Sequence, residues 1–209
     1  ILRGVKNRFG STNEIGVFEM REEGMVEVEN PSEMFLAERP IGVTGSVVVP
    51  CIEGTRPILL EIQSLVSPTA FGKPRRLATG LDFNRILLMT AVMEKKLGFV
   101  LGSQDVYLNV AGGVRIDEPA ANLGICLALA SSIRNQIVPP ELLVVGEVGL
   151  TGEVRAVSQV EKRVLEAAKF GFKQCIIPHN NKRYLNIRSS IEILGVNTVE
   201  EALSIALNR

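Results

Sequence analysis

The sequence predicts an α/β fold, of α+β type with two layers, and three observations carry that expectation. Runs rich in β-branched residues and leucine alternate with stretches of helical period along the chain. Apolar residues fill 46% of the 209 positions, enough to bury a substantial core in one globular domain with a short appendage. Glycine and proline punctuate the segments at the ends where turns and helix stops are needed.

Taken in order, Glu14 to Met20 reads as a strand. Asn30-Pro31-Ser32-Glu33 has the signature of a short helix start, with Asn as N-cap, Pro at the first helical position and Glu completing a capping box. Gly42 to Pro50 and Pro57 to Ser67 then predict an antiparallel hairpin joined by the polar stretch from Cys51 to Arg56. Asp82 caps a helix running to about Leu97, with Ile86, Met89, Val92 or Met93, and Leu97 on one stripe and Gly98 as its stop. Asp105 to Val110 is a strand ending at Gly112-Gly113. A helix from about Pro119 to Arg134 is apolar enough to be buried on most sides. Leu142 to Val145 (strand), Val160 to Phe170 (helix, closed by Gly171), Gln174 to Ile177 (strand, stopped by Pro178) and Val199 to Leu207 (helix) complete the expected order.

Charge and cysteine usage narrow the function classes. Lys plus Arg and Asp plus Glu number 23 each, so no overall basic field marks the chain, and nucleic-acid contact would need a local patch. Cys51, Cys126 and Cys175 lie far apart with no C-x-x-C pair, and His179 is the one histidine, which argues for reduced, buried thiols in the cytoplasm and against a metal site. Apolar runs are broken by charge well before the roughly 20 residues of a membrane span, and no signal peptide is visible. Starting at Ile1 rather than Met, the chain is expected to be processed or a fragment of something longer.

From Asp105 to Pro178 the order becomes specific. Gly146-Glu147-Val148, Gly152-x-Val154, Ala167-Ala168-Lys169-x-Gly171 and Pro178 together resemble the second half of a Lon-type protease domain. That resemblance implies the Lon protease C-terminal fold, which is ribosomal protein S5 domain 2-like. In the Lon pattern a serine nucleophile stands in P-K-D-G-P-S-A-G, and the stretch here is Arg115-Ile116-Asp117-Glu118-Pro119-Ala120-Ala121-Asn122, with Ala120 at the serine position. The partner lysine, from G-G-L-K-E-K, falls on Glu161; Lys162 is next to it but about 100° away around a helix. A dyad needs a hydroxyl to attack and a low-pKa amine to take its proton, so the resemblance implies a domain without proteolytic chemistry.

Lys6-Asn7-Arg8-Phe9-Gly10 and the residues after it strongly resemble the K-N-R-F-G segment of the RadA (Sms) family of bacterial DNA-repair proteins. Pro31-Ser32-Glu33-x-Phe35-Leu36, Gly72-Lys73-Pro74-Arg75-Arg76, Gly80-Leu81-Asp82-x-Asn84-Arg85 and Asn109-Val110-Ala111-Gly112-Gly113 extend the likeness over essentially the whole chain. The resemblance implies residues 1–41 as the K-N-R-F-G segment and connector from the end of a RecA-like ATPase core, and 42–209 as the Lon-like domain. It implies a DNA-dependent ATPase acting as a hexameric ring that drives branch migration in recombination, beside RecA. Neither a G-x-x-x-x-G-K-S/T phosphate loop nor a cysteine-rich zinc motif is present, so no cofactor is expected in this fragment; ATP, magnesium and zinc would belong to the full-length protein.

Two sets of cations are candidates for contact. Lys6 and Arg8, two residues apart, could point the same way in an extended segment, and in related motors such a pair reaches the γ-phosphate held by the neighbouring subunit. Lys73, Arg75 and Arg76, in a loop bounded by Gly and Pro, with Arg85 in the helix that follows, suit phosphate contacts; Arg39 and Arg56 are weaker candidates. Three readings stay open: a DNA-binding scaffold of a RadA-type motor, an active Lon-type serine-lysine peptidase, and a protein-interaction domain that does not touch DNA.

Overall fold

In the computed structural model, residues 2–3, 8, 15–70 and 72–207 are described. Two short antiparallel pairs open the chain: β1 (Leu2–Arg3) with β2 (Ile15–Gly16), and β3 (Phe18–Arg21) with β4 (Gly24–Glu27). The strand expected from Glu14 to Met20 is therefore interrupted at Val17, whose side chain is buried and whose carbonyl accepts from the Val28 N–H at 2.8 Å. Helix α1 (Pro31–Leu36) starts with Pro at its first turn as expected, but the capping box does not form. Asn30 Nδ2 instead donates to Glu33 Oε2 at 3.2 Å. Ser32 turns inward, donating to Glu166 Oε1 at 2.8 Å and accepting from the Leu59 N–H at 3.1 Å. A hydroxyl that could have served locally has been taken by a long-range partner.

The main sheet is built from β5 (Ser46–Glu53), β6 (Arg56–Pro68), β7 (Arg76–Thr79), β8 (Gln104–Val110), β9 (Leu142–Val144), β12 (Gln174–Pro178) and β13 (Glu192–Val196). Their order is β13-β12-β9-β5-β6-β8-β7, and β6 runs against the other six. The hairpin β5-β6 is tighter than the sequence suggests: Glu53 pairs with Arg56, so Gly54-Thr55 makes the whole turn, with Gly54 at φ 61°. Val47, Val49 and Cys51 point to one face of β5 and Val48 to the other, and both faces are buried, which explains an apolar run without alternation.

Helix α2 (Phe83–Leu97) is capped as the sequence predicts, Asp82 accepting from the Arg85 N–H and Gly98 ending it in the left-handed region at φ 70°. The apolar helix α3 (Asn122–Arg134), preceded by a 3₁₀ turn at Pro119–Ala121, lies between the sheet, α2 and the final helix α6 (Val199–Leu207). Its close approach to β5 requires Gly124, where an added Cβ would meet Val49 Cγ1 at 2.2 Å. A small pair, β10 (Glu147–Val148) and β11 (Val154–Arg155), leads to α4 (Val160–Lys169), which lies on the opposite face over β5 and β6. The short α5 (His179–Tyr184), absent from the sequence expectation, joins β12 to β13. The two-layer expectation holds over the β6-β8-β7 end, where Leu65, Tyr107 and Leu77 form a row across the strands and Leu65 and Leu77 are exposed. Over the hairpin half of β5 and β6, α1 and α4 add a third layer.

Candidate functional site

The head of α3 is pinned to the end of β9. The Gly146 N–H donates to the Ala120 carbonyl at 2.8 Å and the Leu123 N–H to the Gly146 carbonyl at 3.0 Å. Ala120, which the sequence resemblance aligns with a Lon serine, is 6% exposed and packs with Val48, Val145 and Val164. A methyl group there offers no nucleophile. Asn122, two residues on, is buried and its Oδ1 has no hydrogen-bond partner. Glu161, which the sequence resemblance aligns with the Lon lysine, is exposed in the first turn of α4, where a carboxylate suits the helix dipole.

What reaches the head of α3 from α4 is Arg163, 1% exposed, on the stripe formed by Val160, Val164 and Ala167. Its guanidinium takes the Glu118 carboxylate in a fork, Nη1 to Oε1 at 2.8 Å and Nη2 to Oε2 at 2.6 Å. Nη1 also donates to the Pro50 carbonyl at 2.5 Å and Nε to the Ser158 carbonyl at 3.0 Å. Glu118 accepts in addition from the Ile52 N–H at 2.9 Å. The ion pair therefore ties β5, the turn before α3 and the start of α4 together. Burial pushes the adjacent Cys51 thiol well up from its usual value, and the Glu118 charge pushes it further in the same direction.

The approach to α4 carries a second departure from the Lon pattern. Where G-G-L-K-E-K has its second glycine, Gln159 stands in the left-handed region at φ 52°. A non-glycine residue there costs about 1 kcal/mol, and Arg163 holds the neighbouring Ser158 carbonyl in place. Arg163 was missed by sequence reasoning, although a signal was available: a charged residue on an otherwise apolar helical stripe needs a buried partner.

The basic loop divides into two kinds of cation. Lys73 and Arg75 are exposed. Arg76 folds back, donating through Nη2 to the Leu101 carbonyl at 2.7 Å and through Nη1 to the carbonyls of Arg75 and Gln104. Arg85 likewise holds the segment leading to Glu118, donating through Nη1 to the carbonyls of Ile116 (3.2 Å) and Glu118 (2.9 Å) and through Nη2 to that of Asp117. Asp105 fixes the loop from below, accepting from the Arg75 N–H at 2.8 Å and from the Thr69 hydroxyl at 2.9 Å. The Arg75 N–H is the main reason that its carboxyl is held below the usual value. The structure thus brings together Lys73 and Arg75 as projecting cations and gives Arg76 and Arg85 carbonyl partners. Arg39 is engaged with the Pro140 carbonyl at 2.9 Å and Arg56 with the Glu29 carbonyl.

Of the K-N-R-F-G segment, Lys6, Asn7, Phe9 and Gly10 lie outside the described residues, and Arg8 is exposed. Cys51, Cys126 and Cys175 are free and buried. Among the described residues no group of three or more His, Cys, Asp or Glu could hold a metal ion, and no helix is long and apolar enough to cross a membrane.

Residues 90–209 match the family of the Lon protease (S16) C-terminal proteolytic domain. The whole chain is 60% identical over 209 residues to a protein of Halalkalibacterium halodurans named DNA repair protein RadA, of which it covers 46%. Proteins of the same name from Bacillus subtilis and Listeria monocytogenes are 58% and 55% identical over 207 residues, 99% of this chain and 45% of each relative. The chain thus spans about half the length of the curated relatives it matches.

Proposed function

The chain belongs to the family of the Lon protease (S16) C-terminal domain, in the form carried by the RadA DNA-repair proteins, and from that premise we propose that it is a DNA-contacting, non-proteolytic assembly domain of a DNA-dependent ATPase. The observation that carries this reading is the head of α3, where an alanine and the Glu118–Arg163 pair stand in the region that a Lon protease gives to its serine and lysine. Loss of a nucleophile alone costs on the order of a million-fold in turnover. The fold has been kept and its reaction dropped, so the domain serves as scaffold and binding surface.

In this reading the domain sits in a hexameric ring that processes recombination intermediates by branch migration, acting with RecA in the cytoplasm. ATP, magnesium and zinc are held by other parts of the full-length protein. DNA is met at its phosphates by Lys73 and Arg75, without sequence preference. A ring repeats this loop around its axis and converts a weak contact into a multivalent one.

The test has two arms. The chain should cleave neither unfolded casein nor fluorogenic peptides, and serine-directed phosphonates should not label it. Single-stranded DNA should bind with an affinity that falls as salt rises, with a logarithmic slope of about −0.7 per phosphate contact. Lys73→Ala with Arg75→Ala should make that slope shallower by about 1.4 and weaken all sequences alike. Arg76→Ala should lower stability first, because its guanidinium serves three carbonyls. Parental affinity and salt slope in the Lys73, Arg75 double variant would place the DNA surface elsewhere.

A further inference from the structure

The outer face of α4 borders a hollow that neither the lost dyad nor the basic loop accounts for. It encloses about 580 Å³ and is lined mostly by apolar surface from Pro57, Leu165 and Ala168, with Lys162, Lys169 and Arg188 among its polar residues. Lys162, Leu165, Ala168 and Lys169 fall on one stripe of α4 at helical spacing, so the cations flank the apolar floor along the helix. Leu165 is 38% exposed and supplies part of the hollow's apolar floor. A second recess of about 470 Å³, sharing Pro57 and Lys169, adjoins it toward Arg56 and Phe170 and carries Glu29 and Glu166 in its wall.

Charge sets the class of occupant. The residues lining the main hollow include Lys162, Lys169 and Arg188 and no Asp or Glu. Of the acids on α4, Glu166 is engaged by Ser32 and Lys169, and Glu161, one turn before Leu165 on the same side of the helix, is not among the residues that line the hollow. Anionic ligands are therefore favoured. The apolar floor then separates two kinds of anion. On single-stranded nucleic acid the apolar floor could be matched only by bases, which stack on aromatic side chains, and no aromatic residue lines the main hollow; Phe170, in the adjoining recess, packs half-buried on the core. An aliphatic floor between cations matches a bulky apolar side chain flanked by carboxylates.

We propose that this groove binds an acidic peptide segment of a partner protein, with a large apolar side chain seated on Leu165 and Ala168 and carboxylates on Lys162, Lys169 and Arg188. The guanidinium of Arg188 can take a carboxylate in a fork, and the two ammonium groups act as point charges. The assignment stands apart from the DNA reading and can fail or hold without it.

The test is fluorescence anisotropy of a labelled peptide of four aspartates followed by Gly-Leu-Phe with a free carboxylate, titrated with the 209-residue chain at low salt, about 50 mM, so that screening does not mask the contacts. Saturable binding is expected. Lys162→Glu, Arg188→Glu and Leu165→Asp should each weaken it about tenfold or more. Replacing the terminal Leu-Phe of the peptide by Gly-Gly should weaken it by a similar factor, whereas Lys95→Glu, a charge reversal on another helix, should leave it unchanged. Lack of binding by the folded chain overturns the proposal, as does binding that ignores all three substitutions. So does an oligothymidylate of equal charge that responds to Lys162→Glu and Arg188→Glu while the peptide does not, for the groove would then be a phosphate surface.

Discussion

Arg163→Ala removes four hydrogen bonds at one stroke: two to Glu118, one to Pro50 and one to Ser158. The Glu118 carboxylate, with its side chain 22% exposed, loses its charged partner and keeps the Ile52 N–H as a donor. Breaking one half of a buried pair in this way costs about 3–5 kcal/mol, because the other charge stays desolvated and unpaired. For a chain of this size, about 2–4 °C of Tm per kcal/mol converts that to a fall of about 6–20 °C. Urea melts of Arg163→Ala, Glu118→Gln and the pair Arg163→Met with Glu118→Leu measure it. The apolar pair should be less damaging than Arg163→Ala alone, since removing both charges removes the desolvation penalty with them. High salt should change the difference little, because buried pairs are weakly screened. A cost below about 1 kcal/mol for Arg163→Ala, typical of a surface pair, would refute the view that this ion pair holds β5, the α3 head and α4 together.

Three further outcomes are expected. Hydrogen bonds from the Thr151 hydroxyl, the backbone and Arg155 hold the Glu153 carboxyl down from 4.5 to about 2. Its contribution to stability is thus present above the unfolded value and lost as pH falls from about 4.5 toward 2. Glu153→Gln should flatten the acid limb of the stability profile in that window, and a variant whose urea midpoints track the parent across it would contradict the assignment. Burial pushes the Cys126 thiol up to about 12 and raises those of Cys51 and Cys175 as well. The folded chain should accordingly react slowly with a thiol reagent at neutral pH and rapidly in denaturant; a fast native phase would count against it. In a longer protein carrying the ATPase core, Lys6→Ala or Arg8→Ala should depress DNA-stimulated ATP turnover far more than ATP binding, because only transition-state charge stabilisation is removed. Parental turnover in both variants would dismiss the finger role.

Local chemistry made much of the molecule legible in advance. Asp82 and Gly98 bound α2 because a cap and a left-handed stop involve only neighbours along the chain, and the apolar period located α3 and α6. The Lon likeness rested on residues in sequence order and pointed to the family that the comparison finds over residues 90–209. Short elements were harder: β7 and β13 take much of their definition from pairing with β8 and β12, and α5 has only six residues.

By itself the sequence determined the α/β class, the helices with local caps, the family, and the absence of a serine at residue 120. Only the tertiary structure decided which polar side chains would be consumed inside. Ser32 stands in the first turn of α1, and its hydroxyl goes to Glu166, 134 residues away. Arg76 and Arg85 read as free cations beside Lys73 and Arg75, yet their guanidinium groups close on backbone carbonyls brought near by β8 and by the turn before α3. Glu118 and Arg163 lie 45 residues apart and meet only when α4 docks on the face of the sheet opposite α2 and α3. The reason is physical: a charge or hydroxyl in water has no need of one particular partner, whereas burial makes an unpaired group cost several kcal/mol, so the partners are selected by packing between distant segments.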